Sequence, residues 1–226
     1  MFSRVVKNGI KIQKGFKMKA FIYTGGSIDP LGITEHPKSD DLRIAADSGY
    51  KNALLLGEKV DVLLGDFDSY TQKLPENVEI LKVPSQKDFS DTQMAITEAI
   101  SRGAEEIVII GGLDGRLDHA LSNISILSSL WEMRIYTVIT DGKNRVRYMN
   151  SSSTLIAKSH FTYLSIIPLS EKLKGLSIEG CKYPLANKTV LKSQPSLTIS
   201  NEITGNCALI SVRKGECLII ESKDNN

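Results

Sequence analysis

Four short stretches of the chain combine carboxylates with glycines, one arginine and one histidine. They are residues 45–47 (Ala-Ala-Asp), 65–69 (Gly-Asp-Phe-Asp-Ser), 88–91 (Asp-Phe-Ser-Asp) and 111–119 (Gly-Gly-Leu-Asp-Gly-Arg-Leu-Asp-His). Carboxylates suit a hard cation, whereas an arginine fork and helix N-terminal amides suit phosphate. All four stretches fall at the ends of predicted strands or the starts of predicted helices, where an α/β sheet gathers its ligand-binding groups. This layout predicts an enzyme.

Asp66 and Asp68 follow an apolar run at residues 60–64 and are separated by one residue. If the strand geometry continues, both carboxylates point the same way, with their Cα atoms about 6 to 7 Å apart. Such a pair could hold a cation that bridges phosphate oxygens. A polar turn after a buried strand would explain the same residues, so both interpretations stay open at this point.

Asp88 and Asp91 flank the start of a predicted helix. Ser90 and Gln93 have the spacing of a capping box, which already satisfies the helix start. Acids there stabilise a helix by roughly 0.3 to 1 kcal/mol through its positive end. Because the cap does not need two further acids, a Mg²⁺ ligand or a contact to a substrate hydroxyl is the alternative.

The glycine-rich stretch at residues 111–119 carries the most specific signal. It follows an apolar strand and opens a helix, so its backbone amides could receive an anion. Arg116 adds a planar donor fork for phosphate oxygens. Asp118 and His119 fall in the first helical turn, where ordinary helix electrostatics and a surface imidazole would also explain them.

The elements that must position these groups form two halves. Up to about residue 141, short apolar runs alternate with helical patterns, which predicts a Rossmann-like α/β domain with a mostly parallel sheet. Its strands are predicted at residues 20–23, 43–46, 60–64, 79–83, 107–110 and 134–139. Helices are predicted from residue 90 to 103 and over 117–131; the second has an apolar stripe of Leu117, Leu121, Ile124, Leu127 and Trp131.

After Asp141-Gly142 the pattern changes to short alternating runs separated by Gly, Pro, Asn and Ser, which predicts an all-β, sandwich-like second domain. Its strands are predicted at residues 145–148, 154–157, 162–167, 173–178, 197–199, 208–212 and 217–221. We therefore divide the chain into a disordered extension at 1–18, an α/β domain at 19–142 and a β domain at 143–226.

Composition narrows the class of protein. The chain has 226 residues and a net charge of +2, but residues 20–226 carry 22 basic and 26 acidic side chains, so the body lacks the basic excess of a nucleic-acid-binding protein. We expect no nucleic-acid partner, and no segment is long and apolar enough to anchor in a membrane. Three cysteines without metal spacing indicate a reducing compartment, and we expect the cytoplasm. P-loop and dinucleotide fingerprints are absent.

Taken in order, the motifs resemble the thiamine pyrophosphokinase family. The resemblance spans residues 19–220 and adds Ser200-Asn201-Glu202 in the β half to the four stretches, read as Ala-Ala-Asp-Ser-Gly, Gly-Asp-Phe-Asp-Ser, Lys-Asp-x-Ser-Asp and Gly-Gly-x-x-Gly-Arg-x-Asp-His. It implies an N-terminal domain that binds ATP and Mg²⁺, and a C-terminal domain that helps to form the thiamine pocket. It also implies a homodimer whose active sites lie near the subunit interface.

The resemblance assigns roles residue by residue. The metal ligands would be Asp66, Asp68 and Asp91, and the catalytic residues would be Asp91, Arg116 and Asp118. The nucleotide would be bound by Asp47, Asp88, Gly112, Gly115, Arg116 and His119, and thiamine by Ser200 and Asn201. Two departures stand out: Ser48 replaces a familiar glycine, and the single tryptophan, Trp131, lies in the first half, so the aromatic partner of thiamine is unassigned.

The implied reaction transfers pyrophosphate from ATP to the hydroxyl of thiamine, giving thiamine diphosphate and AMP. Either Asp91 or Asp118 could orient or deprotonate the hydroxyl, and the sequence does not choose between them. A Mg²⁺-dependent phosphohydrolase would use similar carboxylates. A non-catalytic nucleotide- or vitamin-binding protein is the alternative from a different class.

Overall fold

A computed structural model describes residues 18–66, 78–82 and 89–224. Of the site residues assigned above, Asp68 and Asp88 lie outside the described residues, as do residues 1–17 of the predicted extension 1–18; Met18 is the first residue of a strand. In the described part of the chain, no helix is long and apolar enough to cross a membrane.

Six parallel strands form the first part of a nine-stranded sheet. They are β1 (Met18–Tyr23), β2 (Leu42–Ala46), β3 (Val62–Gly65), β4 (Glu79–Lys82), β5 (Ala104–Ile110) and β6 (Tyr136–Thr140), in the order β4-β3-β2-β1-β5-β6. The inner strands are apolar on both faces because helices cover both, so the predicted strands are confirmed within a few residues at each end.

Among the described residues, three helices cover this sheet: α1 (Gly49–Leu55), α2 (Asp91–Ser101) and α3 (Leu117–Glu132). Helices α2 and α3 share one core, and α1 belongs to the core on the opposite face. The capping box predicted for α2 is confirmed: the Gln93 N–H donates to Ser90 Oγ at 3.3 Å, and the Ser90 N–H donates to Gln93 Oε1 at 3.0 Å.

The apolar stripe predicted for α3 is wrong in its first two members. Leu117 is 72% exposed and Leu121 is 56% exposed, whereas Ala120 and Asn123 face inward. The physical reason is a polar one: the Asn123 amide donates to the Gly112 carbonyl oxygen at 2.9 Å, which turns that face of the helix toward the sheet edge.

The second half continues the same sheet and adds another. Antiparallel strands β7 (Asn144–Asn150), β13 (Glu216–Ser222) and β9 (Tyr163–Pro168) follow β6 in spatial order. A second, antiparallel sheet has the order β11 (Leu185–Leu191), β10 (Lys172–Glu179), β12 (Cys207–Lys214) and β8 (Ser153–Ala157). One buried core joins Ile166 and Ile219 of the large sheet to Leu176 and Ile210 of the small one. The fold class is thus confirmed, with one layer of the sandwich supplied by the large sheet; the boundary between residues 142 and 143 stays a prediction.

Two details of the β half differ from the sequence interpretation. The strand predicted at residues 197–199 is wrong, because Pro195 opens a short 3-10 helix, Pro195–Leu197, in its place. Strand β11 was not predicted, since most of its side chains are exposed and it lies at the edge of the small sheet.

A cluster of charged side chains is buried where the parallel strands meet the sandwich. Glu221 of β13 is 2% exposed and pairs with Arg147 and, at 3.5 Å, with Arg145. Arg145 also reaches Glu35 at 2.7 Å, and the Ser159 hydroxyl donates to Glu221 at 3.2 Å. Buried charges require such partners, so each member depends on the others.

Candidate active site

A cleft of about 510 Å³ lies at the carboxyl ends of the parallel strands. It opens between the neighbouring strands β1 and β5. From β1 the strands β2, β3 and β4 follow toward one edge of the sheet, whereas β6 follows β5 toward the other edge. Ligands of open α/β sheets bind at such a switch point. The cleft is lined by the segments that follow β1, β2 and β5 and by the first turns of α2 and α3.

Two glycine-containing segments lie side by side at the cleft: the β1 loop, residues 24–34, of which residues 24–26 line it, and the β5 loop, residues 111–116. The Gly112 N–H donates to the Gly25 carbonyl oxygen at 2.8 Å, which joins the loops. Gly26 and Gly112 have φ values of +90° and +72°, and a Cβ on Gly112 would fall 2.6 Å from Asn123 Nδ2. Glycine is therefore required at Gly112, whose N–H and carbonyl oxygen are both used to hold the loop against Gly25 and Asn123.

Buried asparagines hold both loops from below. Asn52 of α1 donates from Nδ2 to the carbonyl oxygens of Thr24 at 2.8 Å and Gly26 at 2.9 Å. Asn123 of α3 does the same for Gly112. Sequence reasoning missed both residues. The available signal was a polar residue on an otherwise buried helix face, which requires a hydrogen-bond partner.

Asp114 ties the loops a second time. Its Oδ2 accepts a hydrogen bond from the Ser27 N–H at 3.2 Å. The pKa of Asp114 is lowered, chiefly by a hydrogen bond with the Ser27 side chain and then by the Ser27 and Gly115 backbones. The sequence motifs assign no role to Asp114, yet its carboxylate fixes the β1 loop against the β5 loop.

The described acids stand at neighbouring positions along this edge of the sheet. Asp47 follows β2 and lines the cleft. Its N–H donates to the Leu64 carbonyl oxygen at 2.7 Å, and Leu64 belongs to β3, the strand that Asp66 follows. Asp91, the first residue of α2, also lines the cleft. Their oxygens are of the type that Mg²⁺ prefers. Within residues 18–66, 78–82 and 89–224, however, no three His, Cys, Asp or Glu side chains are grouped closely enough to hold a metal ion.

Ser48 stands where the family has a glycine, and its backbone does not adopt a left-handed conformation. Its φ is −60°, and it precedes α1. A Cβ on Gly25 would lie 2.5 Å from Ser48 Oγ, so the missing side chain of Gly25 makes room for this hydroxyl. The hydroxyl is thereby placed on the wall of the cleft.

Arg116 and Asp118 form a two-bond ion pair at the mouth of the cleft. Arg116 donates from Nε to Asp118 Oδ1 at 3.1 Å and from Nη2 to Oδ2 at 2.6 Å. The hydrogen bonds from Arg116 lower the pKa of Asp118, and the same pairing raises the pKa of Arg116. Asp118 is therefore a weaker proton acceptor than an ordinary aspartate. Gly115, Arg116 and His119 line the cleft.

Ser200 and Asn201 lie in the β half, apart from these residues. Asn201 is 5% exposed; it accepts from the Tyr183 N–H at 3.0 Å and donates to the Tyr183 carbonyl oxygen at 2.8 Å. Ser200 is exposed, with a φ of +55°. In the described part of the chain, the residues that line the cleft all fall between 24 and 123. A single chain thus does not bring Ser200 and Asn201 to that cleft.

The fold and the site together define a protein with two parts. One is an α/β domain with a cleft suited to phosphate groups, and the other is a β-sandwich joined to it. Family comparison identifies both parts. Residues 34–152 match the catalytic domain of thiamin pyrophosphokinase, and residues 153–217 match its vitamin B1 binding domain. The chain belongs to the thiamin pyrophosphokinase family, so the resemblance seen in the sequence is confirmed.

Comparison with individual proteins leads to the same family. The chain is 30% identical over 198 residues to the thiamine pyrophosphokinase of Bacillus subtilis strain 168, covering 85% of this chain and 92% of the relative. It is 27% identical over 175 residues to thiamin pyrophosphokinase 1 of Caenorhabditis elegans, covering 72% and 71%. The crystal structure of the thiamine pyrophosphokinase from Bacillus subtilis superposes with a TM-score of 0.82 at 29% identity, covering 92% of this chain and all of that one.

Proposed function

We propose that this enzyme binds ATP in the cleft between the β1 and β5 loops and transfers its pyrophosphate group to the hydroxyl of thiamine. The products are thiamine diphosphate and AMP. The observation that carries this assignment is the joined pair of glycine loops with Arg116 beside them, at the switch point of a sheet in a thiamin pyrophosphokinase. The first turn of α3, whose N-cap Arg116 makes no side-chain cap hydrogen bond, and the Arg116 guanidinium supply donors of the kind that a triphosphate needs.

The reaction requires alignment more than a covalent nucleophile. The oxygen of the thiamine hydroxyl forms a bond to the β-phosphorus while the bond from that phosphorus to the α,β-bridging oxygen breaks, and AMP leaves. The hydroxyl proton must pass to a base. We assign Asp91 this role rather than Asp118, because Asp91 lines the cleft whereas both carboxylate oxygens of Asp118 accept hydrogen bonds from Arg116. Asp118 instead holds Arg116 in place until phosphate arrives.

Mg²⁺ is the proposed cofactor, held by Asp66, Asp68 and Asp91 with Asp47 and Asp88 nearby. Support comes from the chemistry of the donors, since carboxylate oxygens at adjacent strand ends suit a hard cation. When bound, the ion would neutralise charge on the phosphate oxygens of ATP. We also propose a cytoplasmic enzyme, because Cys181, Cys207 and Cys217 are all free thiols.

We further propose that the segment Ser200-Asn201 contacts thiamine through the exposed Ser200, with Asn201 holding the segment against Tyr183, and that two subunits share each active site. Within one chain these residues are absent from the lining of the described cleft, and thiamine must meet ATP for the reaction to occur. In a two-fold symmetric dimer, the β half of one subunit can reach the cleft of the other.

A heterodimer tests the shared site. Co-expressing an Asp91→Asn chain and an Asn201→Ala chain with different tags, then purifying the mixed dimer, gives one site with both defects and one with neither. We expect about half of the unsubstituted activity, although each homodimeric variant is nearly inactive. An inactive mixed dimer with normal circular dichroism would place both groups in the same subunit.

A product assay tests the function itself. The purified protein is incubated with ATP, Mg²⁺ and thiamine, and the nucleotides and thiamine esters are separated. AMP and thiamine diphosphate in equal amounts support the assignment. Phosphate release without thiamine would instead identify a phosphohydrolase, and binding without turnover would identify a non-catalytic protein.

Replacing Arg116 should weaken the use of ATP. We expect Arg116→Ala to raise the KM for ATP by about tenfold or more, because a charge-assisted two-bond contact to phosphate is lost. Arg116→Lys should recover only part of the loss, since an ammonium does not reproduce the fork. The KM for thiamine serves as the internal control, and an unchanged ATP dependence in Arg116→Ala would contradict the phosphate role.

A further inference from the structure

We propose that Lys223, near the end of the chain in the β half, is a positioning residue for ATP because it anchors the β1 loop that walls the nucleotide cleft. The inference rests on the proposed function of that cleft. It assigns a task in nucleotide binding to a residue outside the catalytic half.

The anchor is an ion pair between the two halves. Lys223 Nζ lies 2.7 Å from Asp29 Oδ2, and the two side chains are 27% and 23% exposed. Asp29 is held on its other sides as well: its Oδ1 accepts from the Leu31 N–H at 3.2 Å, and its own N–H donates to the Asp141 carbonyl oxygen at 2.7 Å. The Lys223 N–H donates to the Lys143 carbonyl oxygen at 3.1 Å. Both partners are therefore fixed in position.

The anchored segment leads directly into the cleft. Asp29 follows Gly26 by three residues, and Gly25 and Gly26 form part of the cleft wall. Further along the loop, Gly32 packs so closely that a Cβ there would lie 2.0 Å from the Gly142 carbonyl oxygen. The loop is thus pressed against the turn between β6 and β7, and Lys223, whose N–H is bonded to Lys143 of that turn, holds Asp29 there.

Two side-chain ties hold the loop between Gly26 and Gly32, and they come from different halves. Asp114 binds Ser27 from the β5 loop, and Lys223 binds Asp29 from the end of β13. A ligand-binding loop that is held in its binding shape loses less entropy when the ligand arrives. Without Lys223 the loop would keep the tie to Asp114 and its backbone bonds, but the Asp29 side chain would lose its partner and the loop would sample more positions. We therefore expect ATP affinity to fall while the chemistry stays intact.

Lys223→Met removes the charge and keeps the length of the side chain. We expect it to raise the KM for ATP by about two- to fivefold, the range for a partly exposed ion pair, with little change in kcat or in the KM for thiamine. Lys223→Arg should restore the ATP dependence. Lys214→Met is the matched control, because Lys214 is an exposed lysine of β12 in the same half.

A double-mutant cycle with Asp29→Asn locates the effect. If the ion pair is responsible, Lys223→Met combined with Asp29→Asn should be no worse than the poorer single variant. Independent effects of the two substitutions would overturn the pairing, and an unchanged KM for ATP in Lys223→Met would overturn the proposal. A fall in melting temperature and kcat without a selective change for ATP would also overturn it, by indicating a purely structural role.

An assay of the unsubstituted protein distinguishes a failure of the proposed function from a failure of the role proposed for Lys223. If it makes no thiamine diphosphate, the function is wrong, whatever Lys223 does. Binding of a fluorescent ATP analogue, measured without thiamine, then tests Lys223 on its own: equal affinity in the unsubstituted protein and Lys223→Met would refute the positioning role.

Discussion

Asp91→Asn is expected to lower kcat by about 10² to 10⁴, the usual contribution of a positioned general base. The substitution keeps the shape of the side chain and removes its charge. Folding should be little affected, because Ser90 and Gln93 cap α2 independently of Asp91. We expect a stability loss of only about 0.3 to 1 kcal/mol from the helix end. Steady-state rates at saturating ATP and thiamine, with thermal melts of the same samples, measure both quantities.

Asp66→Asn should show a similar loss of turnover if the two acids share one task. Glu98→Gln is the matched control, since Glu98 lies in the same helix as Asp91 but pairs with Arg102 at 2.6 Å. That variant should turn over normally. Full activity in Asp66→Asn and Asp91→Asn together with normal folding would remove these carboxylates from the reaction.

The largest effect on stability is expected at Glu221. Glu221→Gln leaves Arg145 and Arg147 buried with less counter-charge, and we expect unfolding to become easier by about 3 to 5 kcal/mol. Urea unfolding monitored by circular dichroism measures the change. Glu171→Gln, at an exposed position in the same half, should stay within about 0.5 kcal/mol of the unsubstituted protein. A midpoint for Glu221→Gln equal to that of Glu171→Gln would mean that the cluster contributes little.

Local patterns were enough to predict the parallel sheet. Strands such as β1 and β5 are covered on both faces, and burial on both faces leaves continuous apolar runs that need no tertiary information. The cap of α2 is equally local, because Ser90 and Gln93 are three residues apart. The glycine turn and Arg116 were predictable for the same reason, since glycine indicates an unusual backbone conformation and arginine a positive charge.

Contacts between distant residues could not be predicted in this way. Asn52 binds Thr24 across 28 residues, and Lys223 binds Asp29 across 194. The buried face of α3 is set jointly by Leu127 and Leu130 in the core and by Asn123 bonding to Gly112, so Leu117 and Leu121 stay exposed. Nor did any local pattern indicate that one sheet runs through both halves. These features depend on topology, which short windows of sequence do not contain.

The shared sheet has a consequence for the order in which the chain can fold during synthesis. Strand β7 is made soon after β6 and pairs with it, but its other neighbour is β13, the last strand of the chain. As residues 144–150 leave the ribosome, one side of β7 therefore stays an open edge until residues 216–222 follow. Open edges invite pairing with other chains. The nascent protein must shield this edge until residues 216–222 have been made, because pairing of β13 with β7 is what closes the sheet.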